Sequence, residues 1–343
     1  MVTVSAAVTN KTARENEGDL AAGAIEACRR LIGIDAVPVS PSRPGHLRRR
    51  PMGSIRMRAG NASVIATRRK DAKRTRLESD ALLVFGRAHA PAPRLLAGDE
   101  RWLIQEDVGT TRLNELLHRA SAREGLALLE RAAEGLWRCQ DAALRANLGS
   151  RGEVLDGVPE LLGVTAKIGE RLKSPPPELA ENVLPALLRP LEAVFVKWDA
   201  RPANAIVSAK GEIFWIDWEE WGRRCRLDDL VWLVCDEWVP DWGEAEDEFI
   251  AREIARRGKQ FDKAGPIYVA TFGCLHALMR LEIILRIRRD GPRWSDDDCL
   301  AYDLIGVNRD CALRLIARAR RFAAKVPALA PLRDWIATLS LPR

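Results

Sequence analysis

The chain has 343 residues, 47% apolar and 30% charged, with a formal net charge of +6 and a pI near 9.1. That is about twice the length of a typical domain, enough for one large core or two lobes, and no Gly/Pro-rich tract or internal repeat points to a fibrous or disordered chain. Seven scattered cysteines without a C-x-x-C pair, and only four histidines, exclude a zinc framework and read as reduced thiols of a cytoplasmic protein.

The first 35 residues carry one helical run, Asp19 to Leu31, behind a polar leader that lacks the basic and apolar regions of a secretory signal. A Pro/Gly/Arg-rich stretch follows from Pro38 to Gly53. Ser54 to Arg58 and Ala62 to Arg68 then read as two strands about the turn Ala59-Gly60-Asn61. Leu77, Ala81, Leu82 and Phe85 predict a helix over Lys73 to Phe85, and Trp102 to Gln105 is a short apolar strand leading into Glu106-Asp107-Val108-Gly109. Beyond Gly109 the periodicity turns helical, with helices expected at Leu113 to Leu117, Arg123 to about Asn147, and Glu178 to Leu188.

One β interruption stands in this half, Ala205 to Ser208 and Glu212 to Ile216, around Ala209-Lys210-Gly211. From Leu227 the chain reads as helices broken at Pro240, Gly265, Pro292 and Pro327. The apolar stretch Ile267 to Ile287 contains His276, Arg280 and Glu282, which are costly in a bilayer, so it reads as a buried helix and no membrane is expected. The expected architecture is α+β: an N-terminal segment to residue 35, a small lobe with an antiparallel sheet over 36–106, and a larger, mostly helical lobe over 107–343.

Charge is uneven along the chain. Between Arg43 and Arg76 there are a dozen Lys and Arg against one acid, Asp71, whereas from Asp217 to Glu248 acids outnumber bases four to one. The basic part suits polyphosphate and the acidic part suits cations. Nucleic acid is not the expected partner, because the basic stretch lacks the interleaved aromatics and the motif of a dedicated binder.

The stretch Val196-Lys197-Trp198-Asp199-Ala200-Arg201-Pro202-Ala203-Asn204, followed by Phe214-Trp215-Ile216-Asp217-Trp218-Glu219, carries the chemistry. With Lys210-Gly211 as a two-residue hairpin tip, Asn204 and Asp217 are expected to face each other at the open end. An amide oxygen beside a carboxylate suits magnesium, which takes oxygen ligands and uses one or two protein carboxylates together with substrate phosphates. Asp199, on a loop stiffened by Pro202, is placed to accept a proton from an attacking hydroxyl, and Arg201 to hold a transferring phosphoryl group.

These residues resemble the aminoglycoside phosphotransferase and choline kinase-like family, whose catalytic loop reads Asp-x-His-Pro-x-Asn before a hairpin and an Ile-Asp-Trp/Phe-Glu/Asp motif. Asp199, Pro202, Asn204, Asp217, Trp218 and Glu219 match, while Lys197-Trp198 and Arg201 depart from its histidines. The resemblance implies a bilobal protein kinase-like fold, ATP as co-substrate, and transfer of its γ-phosphate to a hydroxyl of a small molecule. It also implies a hinge at Gln105, Glu106 and Asp107 whose backbone meets adenine. Gly222 and Asp229-Leu230 look like a structural element of that family.

By register, the family's nucleotide lysine falls on Thr67. Arg69, on the same face of the strand, is the expected replacement, with Glu78 of the next helix as its partner. No compact Gly-rich phosphate loop precedes this strand; Met52-Gly53-Ser54 is the nearest candidate, with Arg48, Arg49 and Arg50 upstream. The acidic run from Asp228 to Glu248 suggests a cationic acceptor, with Trp198 and Trp218 as pocket walls, and His276 reads as a core histidine. Thr67 and Lys197 keep a second reading open, a nucleotide-binding pseudokinase with a regulatory or scaffold role.

Overall fold

The computed structural model describes residues 3–39, 53–156, 158–179, 182–290, 295–301 and 304–341. These form two compact units, Met1–Gly109 together with Ile216–Glu220, and Thr110–Trp215 together with Trp221–Arg343.

In the first unit, Leu20, Ala24, Ala27 and Cys28 recur at helical spacing and give α1 (Thr3–Ile32) one apolar stripe. The helix reaches back to Thr3, well before the expected start at Asp19. Its stripe covers a five-stranded antiparallel sheet of order β1-β2-β3-β5-β4, from β1 (Val37–Val39), β2 (Ser54–Ala59), β3 (Ala62–Arg68), β4 (Leu95–Gly98) and β5 (Trp102–Glu106). Strand alternation puts Ile55, Met57, Ala66, Trp102 and Ile104 on the face under α1. Gly23 lets that helix close on the sheet, since a Cβ there would lie 2.8 Å from Trp102 Cζ2. α2 (Ala72–Ala88), capped by Asp71, buries Ala81, Leu82 and Phe85. The turn at Gly60, with φ +60°, sets the β2–β3 register, which pairs Ala59 with Ala62 and Ser54 with Thr67. Met52 of the phosphate-loop candidate and Arg48, Arg49 and Arg50 lie outside the described residues.

The second unit is mostly helical. It contains α3 (Leu113–Arg119), α4 (Ala122–Arg145), α5 (Val158–Leu162), α6 (Val164–Leu172) and α7 (Val183–Leu187), then α8 (Leu227–Val234), α9 (Glu244–Arg256), α10 (Gly265–Asp290), α11 (Asp296–Ala301), α12 (Arg309–Ala324) and α13 (Ala330–Thr338). The helix expected over Glu178 to Leu188 is confined to α7, because Pro185, which lacks an N–H and crowds the carbonyl four residues back, fits only in a helix's first turn. α10 is the central post, packed on α6, α8 and α12, and 83% of its apolar stretch is buried. It is long and apolar enough to cross a membrane, but its apolar surface is covered by the protein itself.

Two small sheets interrupt these helices. β7 (Val194–Val196) pairs antiparallel with β10 (Gly222–Arg224), and β8 (Ala205–Val207) lies between β6 (Thr111–Arg112) and β9 (Ile213–Trp215). All seven cysteines are buried and none is in a disulfide, and burial pushes the thiols of Cys274 and Cys299 up to about 12.

Candidate functional site

The residues expected to form a catalytic loop, Lys197 to Asn204, lie between β7 and β8. Trp198 adopts φ +71°, a left-handed turn that a bulky residue enters only when its surroundings hold it there. Asp229, in the first turn of α8, does the holding. Its two carboxylate oxygens accept the backbone N–H groups of Lys197 and Trp198, each at 2.8 Å, and the Gln140 amide at 2.7 Å. Burial pushes Asp229 up to about 6, against the pull of these hydrogen bonds.

The next turn closes on itself. Asp199 Oδ1 accepts from Arg201 Nε at 2.9 Å, and Asp199 Oδ2 accepts from Asn204 Nδ2 at 2.8 Å. Asn204 Nδ2 also donates to the Asp199 carbonyl at 3.0 Å, which fixes the amide and leaves its Oδ1 as an acceptor. Pro202 opens a 3₁₀ turn over Pro202–Asn204, and the Arg112 guanidinium donates to the Ala203 carbonyl. Burial opposes ionisation of Asp199, but the charges of Arg201, Lys197 and Arg280 outweigh it and hold the carboxyl down at about 2. Asp199, Arg201 and Asn204 are therefore one hydrogen-bonded unit with an ionised carboxylate at its centre.

The hairpin differs from expectation by one residue. Its loop has three residues, Ala209-Lys210-Gly211, with Gly211 at φ +80° and its N–H bonded to the Ser208 carbonyl at 2.9 Å. The ladder consequently pairs Ala205 with Trp215 and Val207 with Ile213, and does not set Asn204 opposite Asp217. Pairing ends at Trp215. Asp217 has left the strand with φ +62° and groups with the first unit.

In that first unit Asp217 meets Arg69. Arg69 Nη2 lies 2.9 Å from Asp217 Oδ1, and Arg69 Nε lies 2.5 Å from Glu78 Oε2 and 3.4 Å from Glu219 Oε2. The Arg69 side chain is only 10% exposed, and Glu78 is 1% exposed. Burial disfavours the charge on Arg69, yet Asp217, Glu78 and Glu219 more than restore it, so the guanidinium stays protonated. Arg74 continues the network to Glu219 at 3.2 Å and Glu220 at 2.6 Å. Glu219 is pushed up by burial and by the neighbouring Asp217 and Glu78, against Arg69 and Arg74. Thr67, at the register where the resemblance places a lysine, is buried, with its hydroxyl 3.0 Å from Ser54 Oγ across the strands.

Of the residues expected at the hinge, Gln105 is buried, and the Glu106 N–H donates to the Arg94 carbonyl at 2.9 Å. The Asp107 carboxylate is engaged by Arg56 and Ser63, each at 2.6 Å, which together hold it below the usual carboxylate range despite partial burial.

The acidic run is neither a solvated face nor a wall of free carboxylates. Asp228, Asp229, Asp236, Glu237 and Glu246 are buried. Asp228 is bound by Arg224 at 2.6 Å and by the Tyr268 hydroxyl, Glu237 by the fork of Arg280 at 2.6–2.9 Å, and Glu246 by Arg318 and Arg321. Asp236 differs. Its Oδ2 has no hydrogen-bond partner among the described residues, and burial together with Glu237 pushes it up to about 7, with Arg280 and Arg201 pulling the other way. Trp232 Nε1 and both His276 ring nitrogens also lack partners there, and their rings meet edge-on at 4.3 Å. Trp198 is half-buried against Trp232 and Phe272 with Arg224 over its ring, whereas Trp218 is fully buried against Phe85 and is core, not a pocket wall. The sequence offered Asp236 and Trp232 only as members of an acidic run and of a tryptophan-rich region, and Arg112 not at all, because its partner Ala203 comes from a distant segment.

No protein-family model matches the chain, and no curated protein sequence does. Among solved structures, 93% of the chain is similar to 99% of a putative aminoglycoside phosphotransferase from Ralstonia eutropha, with a TM-score of 0.53 at 16% identity. A choline kinase from Cryptosporidium parvum is similar over 92% of this chain and 99% of its own, with a TM-score of 0.50 at 12% identity. What the chain has in common with them is the protein kinase-like fold, a small antiparallel-sheet unit and a larger helical one.

Proposed function

We propose that this protein is an ATP-dependent kinase that moves the γ-phosphate to a hydroxyl of a small molecule. The observation that carries the reading is Arg69, whose guanidinium is buried against Glu78 and Asp217 instead of turned to solvent. A positive charge two residues beyond Thr67 thereby takes up the acid partners a nucleotide lysine would have.

Asp199 is ionised at neutral pH and accepts a hydrogen bond from the acceptor hydroxyl. With a value near 2 it is a weak base, suited to orienting the hydroxyl and taking its proton late, as a loose phosphoryl-transfer transition state allows. Arg201 keeps Asp199 in place and presents its charge to the transferring group. Asn204 and Asp217 each carry a hard oxygen donor of the kind magnesium takes, and a bound ion would neutralise the polyphosphate during transfer. Gln105, Glu106 and Asp107 form the hinge that receives the base. Asp236, with an oxygen lacking a hydrogen-bond partner and Arg201 acting on it, supports an amine-bearing acceptor, which would favour its ionised form.

The test is calorimetric titration with a non-hydrolysable ATP analogue, with and without magnesium, followed by a screen of hydroxyl acceptors. Asp199→Asn should abolish turnover while nucleotide binding stays within about twofold, and Asp217→Ala should weaken magnesium-dependent nucleotide binding by about tenfold or more. Wild-type behaviour of both variants would overturn the assignment. Nucleotide binding without turnover of any acceptor would favour the nucleotide-binding pseudokinase reading, which the hydrogen-bonded Thr67 supports, and binding of no nucleotide under either condition would count against both readings.

A further inference from the structure

Three carboxylates surround one guanidinium in the first unit: Glu78 at 2.5 Å, Asp217 at 2.9 Å and Glu219 at 3.4 Å from Arg69. The planar guanidinium makes this possible, since Nε lies nearest Glu78 and Glu219 and Nη2 nearest Asp217, where a lysine ammonium would offer a single point. Asp217 is fixed for this contact by its own left-handed backbone, φ +62°, and by Trp218 packed against Phe85 with ring centroids 4.5 Å apart. With Thr67 uncharged and tied to Ser54, Arg69 is the residue near the end of this strand that engages Asp217.

Resting on the reading of Asp217 as a metal ligand, we propose that Arg69 is the resident counter-cation of that carboxylate and competes with the metal for it. A divalent ion on the Asp217 carboxylate, at about 2.0–2.1 Å for magnesium, would sit beside the guanidinium that lies 2.9 Å from Oδ1, a like charge. Asp217 therefore accepts a metal only as Arg69 lets go, and a polyphosphate, offering several anionic oxygens for bidentate pairing, is what draws the fork away. Metal and nucleotide then bind as a coupled pair, each weakly alone and each raising the other's affinity by the same factor. In this chain Arg69 does two things in turn: it neutralises three acids at rest and meets phosphate when the site is filled.

The experiment is titration with Mn2+ alone, read by the loss of the free-ion electron paramagnetic signal, on the full-length protein. Arg69→Gln removes the competing charge and should bind Mn2+ at least about tenfold tighter than wild type, and adding Asp217→Asn should abolish that gain. Without metal, binding of a non-hydrolysable ATP analogue should fall about tenfold in Arg69→Gln and stay within a few-fold in Arg69→Lys. A folded Arg69→Gln protein with Mn2+ affinity within about twofold of wild type, or a gain that survives Asp217→Asn, overturns the proposal. Should Arg69→Gln fail to fold, Arg69→Lys decides: one ammonium cannot span Glu78 and Asp217, so Mn2+ should bind about threefold tighter, and no change refutes the competition. Absence of nucleotide binding to wild type would count against the kinase reading and the phosphate half of this proposal, while the Mn2+ comparison, which does not involve nucleotide, separately decides the competition for Asp217.

Discussion

His276 offers a direct measure of how dry the interior of the helical unit is. It sits on α10 with 1% exposure, edge-on to Trp232 at 4.3 Å and to Phe272 at 5.8 Å, and neither ring nitrogen has a partner among the described residues. Burial pushes it down to about 3, helped by the charges of Arg280 and Arg201 and opposed by Asp199. A histidine ordinarily titrates near 6.5, so the folded protein keeps it neutral while the unfolded chain takes up a proton. Because the folded value is depressed, the stability it contributes is fully present above about pH 6.5 and is lost as pH falls. At pH 5 the loss is about 2 kcal/mol, equivalent to roughly 4–8 °C in Tm for a unit of this size. His276→Leu abolishes that titration. Thermal melts of both proteins at pH 7.5 and pH 5.0 should show wild type losing those degrees relative to the variant. Asp228 and Asp229, both pushed up to about 6 by burial, act with opposite sign in the same window, but they are common to both proteins and cancel in the difference. Equal pH slopes in the two proteins would refute the reasoning, since they would mean that His276 is hydrated or partnered in the folded state.

Arg318 is fully buried, with Glu246 at 2.8–2.9 Å and the carbonyls of Val239 and Pro240 at 3.2 and 2.8 Å, so Arg318→Met should cost about 3–5 kcal/mol by leaving a buried carboxylate undercompensated. Adding Glu246→Leu should recover much of that loss in denaturant melts, and an additive further loss would contradict the account. Asp229→Asn replaces two accepting oxygens by one, so one of the Lys197 and Trp198 N–H groups is left without its acceptor. Turnover should fall by about tenfold or more while nucleotide affinity is little changed, since the catalytic loop alone is loosened; an undiminished rate would show that Trp198 is held in its left-handed turn by other contacts.

Where the elements were readable from sequence, the signal was local. Gly60 at a positive φ forces the β2–β3 turn, and the strands on either side of it alternate as the sheet requires. α2, α3 and α4 follow their apolar spacing to within a few residues. β1, β4, β7 and β10 are four residues or fewer. β10 has the sequence Gly222-Arg223-Arg224, and only its antiparallel pairing with the distant β7 makes it a strand, which no window of periodicity registers. The site shows the same division at finer scale. Asp199, Arg201 and Asn204 lie within six residues, and the turn opened by Pro202 brings them together as their spacing suggested. The partner expected for Asn204 depended on the length of one hairpin loop, and a single added residue, with Gly211 at φ +80°, shifted the ladder past it.

Charge was the least legible property, for a physical reason. A carboxylate in a sequence looks the same whether water or a guanidinium compensates it, and the arginines that compensate Glu237 and Glu246 arrive from α10 and α12, 43 and 72 residues further along the chain. The acids between Asp228 and Glu248 thus read as a surface until their counter-ions are known. Arg69 is the same problem from the basic side: in the sequence it is one of a dozen cations in an arginine-rich stretch, and only Glu78 at 2.5 Å and Asp217 at 2.9 Å separate it from the rest. Pairing of that kind is what converts a basic run from a solvated edge into a candidate phosphate contact, and it depends on the fold returning Ile216–Glu220 to the unit that holds Arg69.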